Sequence, residues 1–362
     1  MRFSFVGKFD YNEEKFARTG TTKGGADYVS INFSMVASQN NRAFVECFGM
    51  KQDIIKTMDT ENNKVEIAYK DVNDKSVIDS VANYRKHICV IDGEREEFIS
   101  DYDFVHYLNA IKTDIKGKQV MVTGTTSVNV YDGKITQRFN VQNIYTVDDD
   151  RKNKLTINTD AYWSVDDVDL DSWNDEKKIY INGYVPAYIN KDLGNKYVSQ
   201  QFIFDASKVD FSNEEHVKLI TYKLKVLGFK LEDGKVKSTL KKNRVYCLPV
   251  TVNYVNGAQE IEFDESQLTP MQREAIELGL KELKDFAPSN QLYGQRVVQF
   301  KITDFVLRDK SESGIYDTDF STEEFEEQIY TAPKPETVED LMEKADAEVT
   351  KEDEGDLDDL FD

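Results

Sequence analysis

Cysteine, histidine and long apolar runs are all scarce in this chain of 362 residues. The three cysteines, Cys47, Cys89 and Cys247, lie far apart and are odd in number. They therefore exclude a disulfide framework and a Cys-x-x-Cys metal site, and they favour a reducing compartment. The sequence also lacks the run of about 18 apolar residues that a membrane-spanning helix needs, and its charged N-terminus does not resemble a secretory signal. We therefore expect a soluble, cytoplasmic protein.

Catalytic motifs are also missing. The only histidines are His87, His106 and His216, and none of them belongs to a metal-binding or nucleophile motif. The glycine-rich stretch 20–28 lacks the Gly-Lys-Ser/Thr ending of a phosphate-binding loop and leads into a predicted strand, so we interpret it as a mobile loop that carries Lys23. The sequence thus indicates a protein that is not an enzyme and that needs no cofactor.

One acidic stretch imitates the start of a calcium-binding loop, with Asp167, Asp169 and Asp171 at alternate positions. Such a loop needs glycine at its sixth position and a bidentate glutamate at its twelfth. Ser172 and Lys178 stand at those positions, and a cation cannot replace a ligand. We therefore predict no metal site and interpret the stretch as a solvated linker.

Net charge is strongly negative, because 46 Lys and Arg face 67 Asp and Glu, which gives −21. The excess is concentrated at one end of the chain. Residues 309–362 hold 4 basic and 21 acidic side chains, so the rest of the chain carries only −4. Charge informs about partners and not about the fold, and a nearly neutral body is free to carry a basic face.

Alternation of apolar and polar residues with period two dominates the body and predicts β-strands. In residues 28–37 it places Val29, Ile31, Phe33 and Met35 on one face. A weak resemblance between residues 117–141 and 177–204 indicates either two related modules or two unrelated hairpins. The other predicted strands are 2–9, 43–49, 118–131, 135–147, 178–189, 196–205, 221–229, 244–254 and 295–307.

Helices are expected at residues 100–112 and 269–286, the second with a capping box between Thr269 and Gln272. Each precedes the closing strands of its half, a pattern typical of the OB-fold, although Greek-key sandwiches share these local signals. We expect a mainly β protein with two OB-fold-like barrels. The predicted domains are 1–150, 151–332 with a linker at its start, and a disordered acidic tail at 333–362.

Aromatic side chains on the outer faces of the predicted strands are the main candidates for ligand contact. In residues 42–49, alternation places Arg42, Phe44 and Phe48 outside, and Tyr28 lies outward on the preceding strand. Exposed aromatics beside a cation form a platform on which any base can stack, worth about 1–3 kcal/mol per base. In the second module, Tyr184 and Tyr188 belong to an outward row. The alternative is that these rings pack between sheets or under loops.

Basic residues accompany these aromatics, as a groove that tracks a nucleic-acid backbone would require. Residues 234–259 contain five basic side chains and no acid, although a solvated loop would account for part of this run. The cations predicted to contact a nucleic-acid backbone are Lys23, Arg42, Lys134 and Arg138 in the N-terminal half, and Lys223, Lys225, Lys235, Lys237, Lys241, Lys242 and Arg244 in the C-terminal half.

The end of the chain combines dense acid with apolar anchors at Leu357, Leu360 and Phe361. Such a peptide suits a basic, partly apolar pocket on a partner. Together with tandem β-rich modules and basic-aromatic surfaces, this tail resembles that of single-stranded DNA-binding proteins, especially the phage replication type. The resemblance is strongest over residues 352–362.

This resemblance implies that the tail recruits replication, recombination and repair proteins and competes with DNA for the protein's own groove. The implied recruiting tip consists of Asp356, Asp358, Asp359, Leu360 and Phe361. Two features depart from the family. Bacterial members usually end in Pro-Phe, whereas Asp362 comes after Phe361 here, and some phage members carry a zinc site that this chain lacks the clustered ligands to build.

The leading hypothesis is sequence-tolerant binding of single-stranded DNA, in the host cytoplasm if the chain is phage-encoded. The alternative is a non-enzymatic interaction or structural protein, such as a virion component or a DNA mimic. A mimic should carry its acidic side chains over the folded body. A metal-dependent nuclease using Asp166 and Asp167 is a third hypothesis.

Overall fold

Two closed β-barrels make up most of the protein in the computed structural model, which describes residues 1–38, 41–131, 134–260, 268–278, 293–305 and 314–331. The mainly β architecture predicted from the sequence is confirmed. The strands of the first half are β1 (Arg2–Asp10), β2 (Ala17–Thr21), β3 (Asp27–Ser38), β4 (Asn41–Met50), β5 (Ile54–Met58), β6 (Lys64–Ala68), β7 (His87–Ile91), β8 (Glu94–Phe98), β9 (Gln119–Tyr131) and β10 (Lys134–Thr146). Its α-helices are α1 (Lys75–Ser80), α2 (Asp101–Ala110) and α3 (Lys112–Ile115).

The first barrel closes through five of these strands. β1 pairs with β3, β3 with β4, and β9 with both β10 and β1, all antiparallel, while β4 meets β10 in parallel at Glu46 and Asn140. The helices α2 and α3 lie between the third and fourth strands of this ring. A five-stranded barrel of this kind is an OB-fold.

The second half repeats this order. Its strands are β11 (Lys154–Trp163), β12 (Val168–Asp169), β13 (Lys178–Asn190), β14 (Gly194–Asp205), β15 (Phe229–Glu232), β16 (Lys235–Ser238), β17 (Tyr246–Glu260), β18 (Tyr293–Phe305) and β19 (Tyr316–Asp317). Its α-helices are α4 (Ser172–Glu176), α5 (Glu214–Val226), α6 (Pro270–Glu277) and α7 (Thr322–Glu326). Short 3-10 helices lie at Glu13–Lys15, Tyr69–Asp71, Asn83–Arg85 and Val165–Asp167.

The second barrel closes in the same way as the first. β11 pairs with β13, β13 with β14, and β17 with both β18 and β11, while β14 meets β18 in parallel. The helix α5 lies between the third and fourth strands, at the place that α2 takes in the first barrel. The prediction of two OB-fold-like barrels is therefore confirmed by strand pairing.

The barrels join along their first strands. β1 pairs antiparallel with β11 over five residue pairs, from Arg2 opposite Asn158 to Val6 opposite Lys154. Aromatic contacts continue across the junction, because the ring of Tyr254 lies 5.4 Å from Phe139 in the first barrel and 5.8 Å from Phe300 in the second. The two barrels consequently share one buried core.

Alternation predicted the inward residues of β3 and β4 correctly. Val29, Ile31, Phe33 and Met35 are all buried, and so are their counterparts on the neighbouring strand, Ala43, Val45 and Cys47. A smaller insertion between β4 and β7, made of β5, β6 and α1, has its own cluster of buried residues around Ile67 and Val81.

Three local expectations differ from the structure. Residues 221–229 were expected to form a strand, but most of them belong to α5, which Asn213 caps by accepting hydrogen bonds from the amides of Glu215 and His216. The start of the second domain was expected to be a linker, but residues 154–163 form β11, the first strand of the second barrel. The Asn256–Gly257 pair has the sequence of a hairpin turn and was expected to separate two strands, but it lies inside β17.

Other local predictions are confirmed. The helix expected at 100–112 is α2 with α3, and α6 begins with the predicted capping box of Thr269 and Gln272.

The predicted tail, residues 333–362, lies outside the described residues. Within the described ranges, no helix is long and apolar enough to cross a membrane. In those same ranges, no group of three or more His, Cys, Asp or Glu side chains could hold a metal ion.

Candidate nucleic-acid interface

Aromatic and basic side chains meet on the outside of the first barrel, across its second, third and fifth strands. Strand alternation sends Phe44 and Phe48 outward from β4, where they are 52% and 53% exposed. Tyr28 projects from β3 on the same side, and Arg138 from β10. We call this surface the open face; its predicted residues are Tyr28, Arg42, Phe44, Phe48 and Arg138.

Two of the aromatic rings on the open face are already stacked. The rings of Tyr28 and Phe48 lie 5.8 Å apart at an interplanar angle of 27°. Gly20 on β2 makes room for the tyrosine, because a Cβ there would lie 2.9 Å from the Tyr28 hydroxyl. The grouping of these exposed rings makes the open face the candidate contact surface.

The ion pair between Arg138 and Glu46 on the open face is long and partly exposed. The guanidinium Nε of Arg138 lies 3.7 Å from a carboxylate oxygen of Glu46, with the two side chains 50% and 38% exposed. The hydroxyl of Ser30 donates to the other oxygen of Glu46 over 3.4 Å. An exposed ion pair of this length contributes about 0–1 kcal/mol, so a phosphate can compete for Arg138.

Two cavities flank this ion pair, and both are lined by Glu46 and Arg138. The first, about 340 Å³, lies under the connection between β1 and β2, and the second, about 450 Å³, lies beside α2. Both fall within the range of about 300–1,000 Å³ that is usual for small-ligand sites. The lining of the first includes Tyr11, Asn12, Lys15, Asn32, Phe44 and Gln137, and that of the second includes Phe48, His87, Asp101 and Asn140.

The helix α2 sets one wall of the second cavity. Ser100 caps its N-terminus by accepting a hydrogen bond from the amide of Asp103. A ring nitrogen of His87 lies 2.6 Å from the Asp101 carboxylate, and the His87 ring stacks on Phe104 at 4.5 Å. Gly49 permits this close packing, because a Cβ on that residue would lie 2.5 Å from the Asp101 carbonyl oxygen. His87 therefore helps to fix α2 against the barrel.

Two other predicted cations belong to the first barrel. Lys23 is exposed in the turn between β2 and β3, which is closed by hydrogen bonds between Thr22 and Ala26. The predicted loop is thus the tip of a hairpin. Lys134 is the first residue of β10, and its side chain lies outside the described part of the structure.

The second barrel presents its predicted aromatics differently. Tyr188 is 58% exposed near the end of β13. Tyr184 lies on the same outer side of that strand, but its ring packs 5.4 Å from Phe325, which belongs to a segment after β18 in the chain. The predicted row of tyrosines is therefore only partly open.

The predicted basic residues of the second barrel belong to other elements than the strand β13 that carries these tyrosines. Lys223 and Lys225 were expected on one side of a strand, but they lie in the last turn of α5. The helix dipole stabilises positive side chains at that end. Lys237 pairs with Glu232 across the β15–β16 hairpin at 2.9 Å, and Arg244 pairs with Asp317 at 2.9 Å. Lys235 is exposed on β16, and Lys241 and Lys242 are exposed between β16 and β17.

Sequence reasoning missed several residues that line the candidate site. Asn32 and Glu46 lie on the outward side of β3 and β4, where strand alternation alone could have placed them. Lys15 and Gln137 are brought to the first cavity by tertiary packing, for which the sequence holds no local signal. The predicted recruiting tip, Asp356, Asp358, Asp359, Leu360 and Phe361, lies outside the described residues.

Comparisons with known proteins give little further information. No protein-family model matches the chain, and a search of curated proteins finds no match. Two solved structures of the single-stranded DNA binding protein from Thermus aquaticus align with it. A deletion mutant has a TM-score of 0.28 and 11% identity, covering 74% of this chain and 96% of its own. The wild-type protein has a TM-score of 0.28 and 9% identity, covering 70% and 84%.

Proposed function

We propose that this protein binds single-stranded DNA with little sequence preference and that the open face is its principal site. The observation that carries the proposal is the cluster of Tyr28, Phe44 and Phe48 beside Arg138 on the second, third and fifth strands of an OB-fold. In OB-folds, the face of the second and third strands is where oligonucleotides bind.

Each group on the open face has a defined task in this proposal. Phe44 and the Tyr28–Phe48 pair offer ring faces to bases, which every base can use, so the binding tolerates any sequence. Arg42 and Arg138 neutralise phosphates and release counterions. The cavities on either side of Glu46 can take unstacked bases, because amide groups such as those of Asn32 and Gln137 line the first of them.

The same proposal assigns roles to the rest of the chain. Residues 1–150 and 151–332 act as two domains, and residues 333–362, with a net charge of −10, form an acidic regulatory tail. The tail competes with DNA for cationic groups, while its tip recruits proteins of replication, recombination or repair. No catalytic step is part of this function.

Titration of the full chain with a fluorescent oligothymidylate, in parallel with a duplex of equal length, tests the proposal. We expect tighter binding to the single strand, with log K falling against log salt by about 0.7 for each phosphate contacted. Equal affinity for duplex and single strand at low salt would contradict the proposal.

A chain ending at residue 332 tests the role of the tail. We expect it to bind the oligothymidylate more tightly than the full chain at low salt, because −10 of charge leaves with the tail. The difference should vanish at high salt, where exposed charges are screened. An unchanged affinity at low salt would remove the tail from the mechanism.

A further inference from the structure

The outer face of the second barrel carries an aromatic cluster that the chain itself covers. Tyr184 and Tyr197 project outward from β13 and β14, the second and third strands of this barrel, and Tyr162 projects from β11 on the same side. Within their barrel, β13 and β14 take the positions that β3 and β4 take in the first barrel. We call the surface of Tyr162, Tyr184 and Tyr197 the covered face.

Phe325 occupies the centre of the covered face. Its ring centroid lies 4.6 Å from that of Tyr197, 5.4 Å from Tyr184 and 6.1 Å from Tyr162, and the last pair is stacked at 21°. Only 3% of Phe325 is exposed. An aromatic ring held among three tyrosines is the contact that a stacked nucleobase would make.

Residues 314–331, the cover, hold this phenylalanine in place from both sides. Toward its start, β19 pairs with β17, and the Arg244 guanidinium contacts Asp317 at 2.9 Å and Asp319 at 3.5 Å. Toward its end, the Tyr197 amide donates to the Gln328 carbonyl, and the Tyr330 amide donates to the Tyr197 carbonyl.

The charge of the cover matches that of a nucleic acid. Its 18 residues contain six acids and no basic side chain. Two of these carboxylates lie on Arg244, and the Nζ of Lys196 donates to the Glu327 carbonyl at 3.1 Å. The cover thus places carboxylates against Arg244 and an aromatic ring among the tyrosines. A bound nucleotide would make the same two contacts, the first through its phosphate and the second through its base.

We infer that the covered face is a second binding site for single-stranded nucleic acid, which the cover occupies as an intramolecular substitute. Phe325 stands in place of a base, and Asp317 with Asp319 stands in place of a phosphate. Binding at this site requires displacement of the cover, so the resting chain binds through the open face alone. The chemical class of the ligand rests on the proposed function of the open face.

The test uses the full chain carrying Phe44→Ala and Phe48→Ala, which weakens the open face. Adding Phe325→Ala removes the substitute ring, and adding Asp317→Asn with Asp319→Asn instead frees Arg244. We expect either addition to raise the affinity for oligothymidylate roughly tenfold, the gain from one stacked base or one freed phosphate contact. A further Tyr184→Ala should abolish the gain from Phe325→Ala.

Matched controls separate the second site from general effects. Glu323→Gln with Glu326→Gln removes the same charge from exposed positions of α7 without freeing Arg244, so it should give a clearly smaller gain. If Phe325→Ala does not fold, the aspartate variant decides the question. Unchanged affinity in the folded variants overturns the second site while leaving the open face intact. Absence of oligonucleotide binding by the unsubstituted chain would instead remove the proposed function, and the second site with it.

Discussion

The two barrels share one strand order but treat the outer face of their second and third strands differently. In the first barrel, Phe44 and Phe48 are about half exposed beside Arg138. In the second, Tyr184 and Tyr197 pack around the buried Phe325. The difference comes from the path of the chain after the fifth strand of each barrel. The chain passes from β10 directly into β11, whereas after β18 it returns over the barrel as the cover.

This comparison shows that strand alternation alone does not decide which aromatics are available to a ligand. Both faces have outward rings, but the period-two pattern indicated Tyr28, Phe44 and Phe48 of the open face and only Tyr184 of the covered face. Availability depends on a segment far away in sequence, since Phe325 lies 141 residues after Tyr184. Substitutions on each face can therefore test whether the open and covered faces differ in function as they do in exposure.

The largest effect is expected from the double variant Phe44→Ala with Phe48→Ala. Two stacking platforms leave the open face, each worth about 1–3 kcal/mol per base, so affinity for oligothymidylate should fall about a hundredfold or more. Fluorescence titration at fixed low salt measures this loss. Tyr222→Ala is the matched control, because Tyr222 is a half-exposed aromatic on α5 outside both faces, and it should bind as the parent does. A loss of equal size in the control would remove the open face as the principal site.

A second prediction compares glycines beside the two faces. A Cβ on Gly49 would lie 2.5 Å from the Asp101 carbonyl oxygen, and one on Gly183 would lie 2.7 Å from that of Tyr162. Either alanine forces backbone apart and should destabilise the fold by about 1–3 kcal/mol in urea unfolding. Only Gly49→Ala should also weaken oligonucleotide binding, because it displaces α2 beside Phe48. Gly24→Ala, whose nearest neighbour would be 3.9 Å away, should leave both unchanged.

Most barrel strands were predicted well because one face of each strand is buried and the other is not, which makes apolar and polar residues alternate. The inward residues of β3 and β4, such as Val29 and Val45, alternate with polar or exposed positions and therefore carry a clear period. The same rule placed Tyr28, Arg42, Phe44 and Phe48 on the outer side, whereas Arg138 was indicated by the excess of basic residues in its stretch. Two residues that line the first cavity were not indicated: Lys15 on the connection between β1 and β2, and Gln137 on β10. Tertiary packing brings them together there, and the sequence has no local signal for it.

Errors arose where two periods overlap. In residues 220–227, Tyr222, Leu224 and Val226 alternate as in a strand, but Ile220, Leu224 and Leu227 also fit helical spacing and are all buried. The cap at Asn213, with two glutamates directly after it, favoured the helix and was not used. The cover was beyond prediction for another reason: its acidic composition resembles a solvated tail, and only tertiary contacts reveal that Phe325 is buried.

A third prediction concerns the Arg138–Glu46 pair, whose two members should act in opposite directions. Arg138→Ala should weaken oligothymidylate binding several-fold and lower the salt slope by about 0.7, since one phosphate contact is lost. Glu46→Gln should strengthen binding by a few-fold, because it removes the carboxylate that competes with the phosphate. Titrations at several salt concentrations give both quantities. Changes of the same sign in the two variants would contradict the assignment of Arg138 to phosphate.

The smallest expected effect is a dependence of the cover on pH. Burial alone would raise the pKa of Asp317, but hydrogen bonds from Arg244 and from the Asp319 amide, with the charges of Arg244 and Lys241, lower it below its ordinary value. A carboxylate with a depressed pKa in the folded state stabilises above its unfolded pKa of about 3.9, and that stabilisation is lost as pH falls through the folded value. The attachment of the cover should therefore be complete at neutral pH and weaken only below about pH 4. Hydrogen exchange at Thr318, corrected for its intrinsic rate, should rise there before exchange in β1, and Asp317→Asn should raise it at neutral pH already. Simultaneous loss of protection in β1 and the cover would mean that the cover unfolds with the barrel and does not open by itself.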